Sequence, residues 1–155
     1  MKTLIVYASK YGATKKIAES IADIIGAADL ADVKCCDEIS LNDYDGIILG
    51  SRLTAGKTQK EFNRFLNENA DRLGNMKIGL FLSGLQESGE DEYFKQNFSS
   101  ELLDKAISKA FLGGVFDPKK CSFFERKLIK VIAKLDSYTC VINEEKIETF
   151  AQKFL

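Results

Sequence analysis

Short strand-like runs alternate with helical patterns along this chain, and the alternation limits its possible folds more than any other feature. Apolar runs of strand length occur at residues 2–8, 31–36, 45–51, 77–83 and 109–116. Between them, apolar side chains recur every three to four positions, as they do on one face of a helix. Repeated units of one short strand and one helix predict a parallel sheet that helices cover on both faces.

The length of 155 residues fits one α/β domain, and we expect residues 1–155 to form it. The composition, 45% hydrophobic and 29% charged, is ordinary for a water-soluble globular protein. The net charge of −1 argues against a nucleic-acid-binding protein. The sequence has no apolar run of membrane-spanning length and no signal-peptide pattern at its start, so we expect a cytoplasmic protein.

Other patterns predict where helices begin. Two capping boxes are present, in which a hydroxyl residue precedes a glutamate by three positions. They are Thr58 with Glu61 and Ser122 with Glu125. The second predicts a helix that continues to Leu135. Asn143, which two glutamates follow, predicts the start of a last helix that ends at Phe154.

The four cysteines are Cys35, Cys36, Cys121 and Cys140, and the chain contains no histidine. No CxxC pair is present, so a zinc site would need all four thiolates or help from carboxylates. The absence of histidine excludes Ser–His and Cys–His catalytic sets. Cys35 and Cys36 fall in a predicted strand, where side chains alternate between faces. We therefore expect buried or half-buried thiols rather than redox centres, and we name no metal ligand and no catalytic residue.

The loop between the first strand and the first helix has the features of an anion-binding site. Here the chain brings backbone N–H groups and the positive end of a helix dipole together. Ser9, Tyr11 and Thr14 add hydroxyl donors, and Lys10 adds a cation, a set that suits a phosphate monoester. The loop matches neither the nucleotide P-loop nor the dinucleotide glycine pattern. The alternative is an ordinary turn in which Gly12 supplies a positive φ.

With the apolar strand before it, the sequence Ser-Lys-Tyr-Gly-Ala-Thr at residues 9–14 resembles the phosphate loop of the flavodoxin family, which binds flavin mononucleotide (FMN). The resemblance implies a doubly wound, five-stranded parallel sheet with strand order 2-1-3-4-5. In that topology a ligand crevice lies at the carboxyl ends of strands one and three. Glycine-bearing loops at residues 50–57 and 83–89 reach the same crevice, and in that family they hold the isoalloxazine ring. The alternative is that these glycines only close turns.

The resemblance thus implies a set of cofactor-binding residues in three loops. They are Ser9, Lys10, Tyr11, Gly12, Ala13, Thr14, Ser51, Arg52, Leu53, Thr54, Ala55, Gly56, Ser83, Gly84, Leu85 and Gln86. Flavodoxins commonly stack an aromatic residue on the flavin, but neither ring loop contains one, so ring contacts would depend on Leu53, Thr54 or Leu85. Arg52 and Lys57 predict a positive charge near the ring, which would favour its reduction.

Three longer segments resemble the menaquinone-dependent protoporphyrinogen dehydrogenases, which are FMN enzymes associated with the inner face of the membrane. The segments are residues 1–14, 44–57 and 113–134. This resemblance implies an oxidoreductase of heme biosynthesis that takes two electrons from a tetrapyrrole-like substrate and passes them to a quinone. Two alternatives stay open. One is an electron-transfer flavodoxin without a substrate site of its own, and the other is a flavodoxin fold that has lost flavin and serves as a binding module.

The helix predicted after Ser122 is both basic and apolar. Residues 119–134 include six basic side chains and one acidic side chain. Helical spacing puts Phe124 and Leu128 on one face and the basic residues on the other. One interpretation is an amphipathic cover for the sheet. The other is peripheral contact with the inner membrane face, because Phe123 falls among the basic residues and could reach anionic lipid headgroups.

Overall fold

The computed structural model describes residues 1–85 and 88–155, and its main sheet has five parallel strands. They are β1 (Thr3–Ala8), β2 (Ala28–Asp32), β3 (Gly46–Arg52), β4 (Lys77–Ser83) and β5 (Ala106–Phe111). Their order in the sheet, β2-β1-β3-β4-β5, confirms the predicted topology. Ala8, Ser51 and Leu82 lie side by side in register. The loops that follow β1, β3 and β4 therefore leave the sheet at the same edge.

Helices cover both faces of this sheet. In the described part of the chain they are α1 (Ala13–Ile25), α2 (Lys60–Glu68), α3 (Ala70–Leu73), α4 (Glu90–Asn97), α5 (Ser100–Lys105), α6 (Phe123–Ile132) and α7 (Glu144–Gln152). A separate antiparallel pair joins β6 (Val115–Phe116) to β7 (Thr139–Cys140). None of these helices is both long enough and apolar enough to cross a membrane.

Each face of the sheet has its own hydrophobic core, because successive side chains of a strand point to opposite faces. Leu4 of β1 belongs to the core that contains Phe62 of α2. Ile5, the next residue, belongs to the core that contains Ile17 of α1 and Phe150 of α7. Strands that are buried on both faces need apolar side chains along their whole length, which explains the continuous apolar runs in the sequence.

The second strand ends at Asp32 instead of continuing to Cys36 as predicted. The Asp32 carboxylate accepts a hydrogen bond from the backbone N–H of Lys34 at 2.9 Å, which caps a 3₁₀ turn and stops the sheet pairing. Cys35 and Cys36 therefore lie in that turn and at its end rather than in a strand. The expectation of half-buried thiols is wrong for Cys35 and Cys140, which are exposed, whereas Cys36 is buried.

The predicted fifth strand, residues 109–116, is divided in the structure. β5 begins earlier and ends at Phe111, and β6 belongs to the separate antiparallel pair. Between them the backbone turns at Gly113, which has a φ of 86°. A Cβ at this position would lie 1.9 Å from the carbonyl oxygen of Val141, so the turn also requires glycine for lack of space.

The predicted helix starts have different outcomes. Ser122 accepts a hydrogen bond from the backbone N–H of Glu125 at 3.3 Å, so α6 begins where predicted, although it ends three residues early. The Thr58 hydroxyl instead bonds to Asn63 at 2.5 Å, and α2 begins two residues after it. Asn143 caps α7 with its side chain, as predicted, and that helix ends two residues early.

Candidate functional site

A cleft of about 390 Å³ lies where β1, β3 and β4 end, and its volume is in the usual range for small-molecule sites. Thirteen of the sixteen residues predicted to bind the cofactor line it. They are Ser9, Lys10, Tyr11, Ala13, Thr14, Arg52, Leu53, Thr54, Ala55, Gly56, Ser83, Gly84 and Leu85. Gly12 and Ser51 do not line it, and Gln86 lies outside the described residues. The structure thus brings the three predicted loops together, while their binding of flavin stays a prediction.

One end of the cleft is formed by the start of α1. Its N-cap residue, Gly12, has a φ of 98° and no side chain that could cap the first turn, and that turn contains no acidic residue. The N–H of Gly12 itself donates to the Ser9 hydroxyl at 3.1 Å. Thr14, almost fully buried, lies in the first turn and lines the cleft. Free backbone donors, the positive helix end and hydroxyl groups together fit a phosphate group.

The cleft also contains aromatic side chains that sequence reasoning did not place there. Tyr93 of α4, Phe111 of β5 and Phe116 of β6 all line it. Tyr93 and Phe111 stack with their ring centroids 6.4 Å apart, and Tyr93 approaches Gly56 so closely that a Cβ there would lie 3.5 Å from its ring. Elements distant in sequence therefore bring aromatic rings to the cleft beside Leu53, Thr54 and Leu85, and which of these side chains contact a flavin ring stays a prediction.

Helix α6 forms one wall of the cleft instead of covering the sheet. Leu128, Ile129 and Ile132 line the cavity, as does Cys121 just before the helix. No side chain of α6 is buried, while α1 and α7 cover the sheet face with Ile5 and Phe81. The interpretation of α6 as a cover for the sheet is therefore wrong, because α7 has that position.

The contact that holds α6 at the cleft is made by Glu125. One of its carboxylate oxygens accepts a hydrogen bond from the ammonium group of Lys10. The other accepts a hydrogen bond from the Tyr11 hydroxyl at 2.6 Å and lies 3.6 Å from Nη2 of Arg52. Lys10 and Arg52 also approach the Tyr11 ring, at 5.1 and 4.9 Å from its centroid. We call these four residues the Glu125 cluster.

The Glu125 cluster is charged at neutral pH. Burial raises the pKa of Glu125. This effect is outweighed by hydrogen bonds from Lys10 and Tyr11 and by the charge of Arg52, so the pKa is lowered overall. The hydrogen bond to Glu125 raises the pKa of Lys10. The side chains of Arg52 and Glu125 are 18% and 19% exposed, so solvent screens their interaction only in part.

The same contact corrects the prediction of a positive charge near the flavin ring. Arg52 does line the cleft, but the Glu125 carboxylate compensates its charge. Lys57 is exposed and does not line the cleft. The electrostatic argument for an easily reduced flavin is therefore weaker than predicted, because Glu125 compensates part of the positive charge that Lys10 and Arg52 bring to the cleft.

The segment that leads to α6 is fixed to the loop after β4. The N–H of Gly84 donates a hydrogen bond to the carbonyl oxygen of Gly113 at 2.9 Å. A Cβ on Gly114 would lie 2.9 Å from the carbonyl oxygen of Gly84, so the two backbones are in close contact. This packing places β6 and the start of α6 at the cleft, even though they are distant from it in sequence.

Comparisons with known proteins agree with this geometry. A sequence model of the flavodoxin domain matches residues 4–139. Protoporphyrinogen IX dehydrogenase (quinone) from Escherichia coli (strain K12) is 23% identical over 159 residues, which cover 96% of this chain and 88% of that protein.

Solved structures show the same fold. Oxidised flavodoxin 1 from Bacillus cereus aligns with a TM-score of 0.62 at 19% identity, over 99% of this chain and 97% of that one. A flavoprotein from Lactobacillus acidophilus NCFM, solved in complex with FMN, aligns with a TM-score of 0.53 at 20% identity, over 71% of this chain and 92% of that one. At these identities the likeness concerns the fold.

We expect α6 to leave the cleft in acid before the sheet unfolds. The pKa of Glu125 is lowered from its usual 4.5 by the fold, so its stabilising contacts are present above that value and are lost as the pH falls through the lowered pKa. Amide hydrogen exchange of α6 should be faster in Glu125→Gln than in the wild type at pH 7. The two proteins should exchange alike once the pH lies below the lowered pKa of Glu125.

The exposed Asp136 just beyond α6 supplies a matched control, and Asp136→Asn should exchange like the wild type at every pH. Equal exchange of wild type and Glu125→Gln at pH 7 would show that the Glu125 cluster does not hold the helix.

Proposed function

Because the chain belongs to the flavodoxin family, we propose that it binds FMN in the cleft and acts as an oxidoreductase. In each turnover, two electrons and two protons leave a reduced, tetrapyrrole-like substrate, and a quinone is converted to a quinol. The bound flavin supplies the two-electron chemistry of this exchange. The chain's own residues bind the cofactor, orient it and keep water from it.

The proposed orientation follows from two unlike groups of residues that line the cleft. The phosphate would lie at the start of α1, where Ser9 and Thr14 offer hydroxyl groups and Lys10 offers a positive charge. The isoalloxazine ring would lie against the apolar group, in which Leu53, Leu85 and Tyr93 line the cavity. Polar donors in one group and apolar walls in the other match the two parts of FMN.

The observation that carries the enzyme assignment is the apolar surface of α6. Leu128 and Ile132 line the cleft and yet are 46% and 56% exposed, so the same side chains reach from the cavity to the protein surface. Such a surface provides an apolar approach to the site for a hydrophobic substrate and for a quinone. The Escherichia coli relative bears the name of a dehydrogenase that uses a quinone, which supports the same assignment.

The second candidate is an electron-transfer flavodoxin without its own substrate site. The pairing of Arg52 with Glu125 favours it, because a cation that is paired with a carboxylate eases reduction of the flavin less than an unpaired cation would. The fold likeness to Bacillus cereus flavodoxin 1 extends over nearly the whole of both chains.

Anaerobic turnover separates these two functions. We expect the protein loaded with FMN to convert protoporphyrinogen IX to the fluorescent porphyrin when menadione is present, and not without a quinone. The control is the same mixture with free FMN at equal concentration. A loaded protein that accepts electrons from a flavodoxin reductase but gives no porphyrin above this control would be a carrier.

Flavin binding by a Thr14 variant tests the proposed position of the FMN phosphate. Thr14→Val keeps the shape of this buried side chain but removes its hydroxyl, so FMN binding should weaken by about 1.5–3 kcal/mol, the value of a hydrogen bond to a charged acceptor. Riboflavin, which lacks the phosphate, should bind wild type and variant alike. Flavin fluorescence titration measures both affinities. Thr149→Val in α7 is the control, and equal losses for the two flavins would contradict the phosphate position.

We also propose that α6 contacts the inner membrane face from the cytoplasmic side. Phe123 and Phe124 at its start are 65% and 81% exposed, and Val131 is 71% exposed. Lys127 and Lys130, both exposed, lie on the same helix. Exposed aromatic and aliphatic groups beside cations are typical of helices that bind the surface of anionic membranes.

Vesicle binding tests this contact. The wild type should bind vesicles that contain anionic phosphatidylglycerol, and Lys127→Gln with Lys130→Gln should lower the affinity by up to about 1 kcal/mol for each charge. Lys34→Gln with Lys77→Gln removes two exposed charges outside α6 and should have little effect. If the wild type fails to bind these vesicles at low salt, the membrane proposal is wrong.

A further inference from the structure

The Glu125 cluster joins two parts of the chain that are far apart in sequence. Lys10 and Tyr11 belong to the loop at the start of α1, and Glu125 belongs to α6. An internal carboxylate therefore occupies two side-chain donors, Lys10 and Tyr11, of the loop that also presents the uncapped helix end.

We propose that Lys10, Tyr11 and Arg52 form an oxyanion site that Glu125 closes in the chain alone, and from which the phosphate of FMN displaces it. This inference rests on the proposed function, and it adds a residue that sets the preference between phosphorylated and unphosphorylated flavin. Glu125 is an internal competitor of the cofactor and not one of its ligands.

The charges at the site favour a phosphate monoester over the internal carboxylate. Lys10 and Arg52 contribute two positive charges, of which Glu125 compensates only one. A phosphate monoester carries between one and a half and two negative charges at neutral pH. It therefore compensates the two positive charges more fully than the single charge of Glu125 does. The carboxylate and the phosphate would repel each other if both stayed beside these donors, because the side chains of Arg52 and Glu125 are only 18% and 19% exposed and solvent screens them only in part.

Release of Glu125 requires little loss of packing. No side chain of α6 is buried, and the Ser122 cap and the helix hydrogen bonds do not depend on the cluster. The upstream contact between Gly84 and Gly113 holds the segment before α6 in place when the helix moves. The displacement is therefore local and leaves both cores of the sheet intact.

The proposed coupling between docking of Glu125 and binding of FMN is reciprocal. If docking of Glu125 weakens FMN binding by some factor, FMN binding must weaken the docking of Glu125 by the same factor. The two directions give two independent measurements, one of flavin affinity and one of the protection of α6 against hydrogen exchange.

The first measurement compares the affinities of FMN and of riboflavin for the wild type, Glu125→Gln and Asp136→Asn, each determined by fluorescence titration. Glu125→Gln should bind FMN about fivefold more tightly or better, because the competing charge is gone, and should bind riboflavin within about twofold of the wild type. Asp136→Asn should match the wild type with both flavins. Unchanged or weaker FMN binding in Glu125→Gln overturns the proposal, and so does an equal gain for both flavins.

The second measurement needs no flavin. Inorganic phosphate should speed amide exchange of α6 in the wild type relative to chloride at equal ionic strength, and should have no such effect in Glu125→Gln, where the helix is already released. Equal exchange of the wild type in the two salts overturns the oxyanion site. If the protein binds neither flavin, the proposed function fails, and the phosphate result still decides whether Glu125 closes an oxyanion site.

Discussion

Burial of the parallel sheet on both faces determines where every other part of this molecule can lie. Helices must cover each face, so the polar groups that could meet a ligand are left to the loops at the sheet edges. Ala8, Ser51 and Leu82 lie side by side at or next to the ends of β1, β3 and β4, which brings three of these loops to one cleft. The cleft therefore follows from the packing of the cores, before any site residue is considered.

This dependence explains how much of the molecule could be predicted from its sequence. The fourth strand has the predicted bounds, Lys77–Ser83, because a strand buried on both faces has an unbroken apolar run. The errors fall where one side chain or one glycine overrides such a pattern. The Asp32 carboxylate ends β2 early by capping a turn, and the turn at Gly113 divides the run that was predicted as one strand.

The parts of the site that could not be predicted depend on long-range contacts. Glu125 has the local spacing of a capping box, and its N–H does bond to Ser122, but its carboxylate binds donors more than a hundred residues away. Tyr93 and Phe111 reach the cleft from α4 and β5, and their positions depend on packing of the whole sheet. Local periodicity gives no information about either arrangement. The predicted end of the fifth strand at Phe116, which also lines the cleft, was a usable signal that aromatic side chains reach this edge of the sheet.

The weak attachment of α6 is a consequence of its position over a cleft. A helix of ten residues is marginal by itself and normally gains its stability by burying an apolar face. Here that face remains partly exposed, with Leu128 and Ile132 near half exposure, so the hydrophobic contribution is small and the charged contacts of Glu125 hold the helix. A ligand with a phosphate and an apolar ring would weaken the electrostatic contact and strengthen the hydrophobic one. It would take the donors from Glu125 and give the apolar wall a surface to pack against. The same helix can therefore exchange an electrostatic contact for a hydrophobic one when the site is filled.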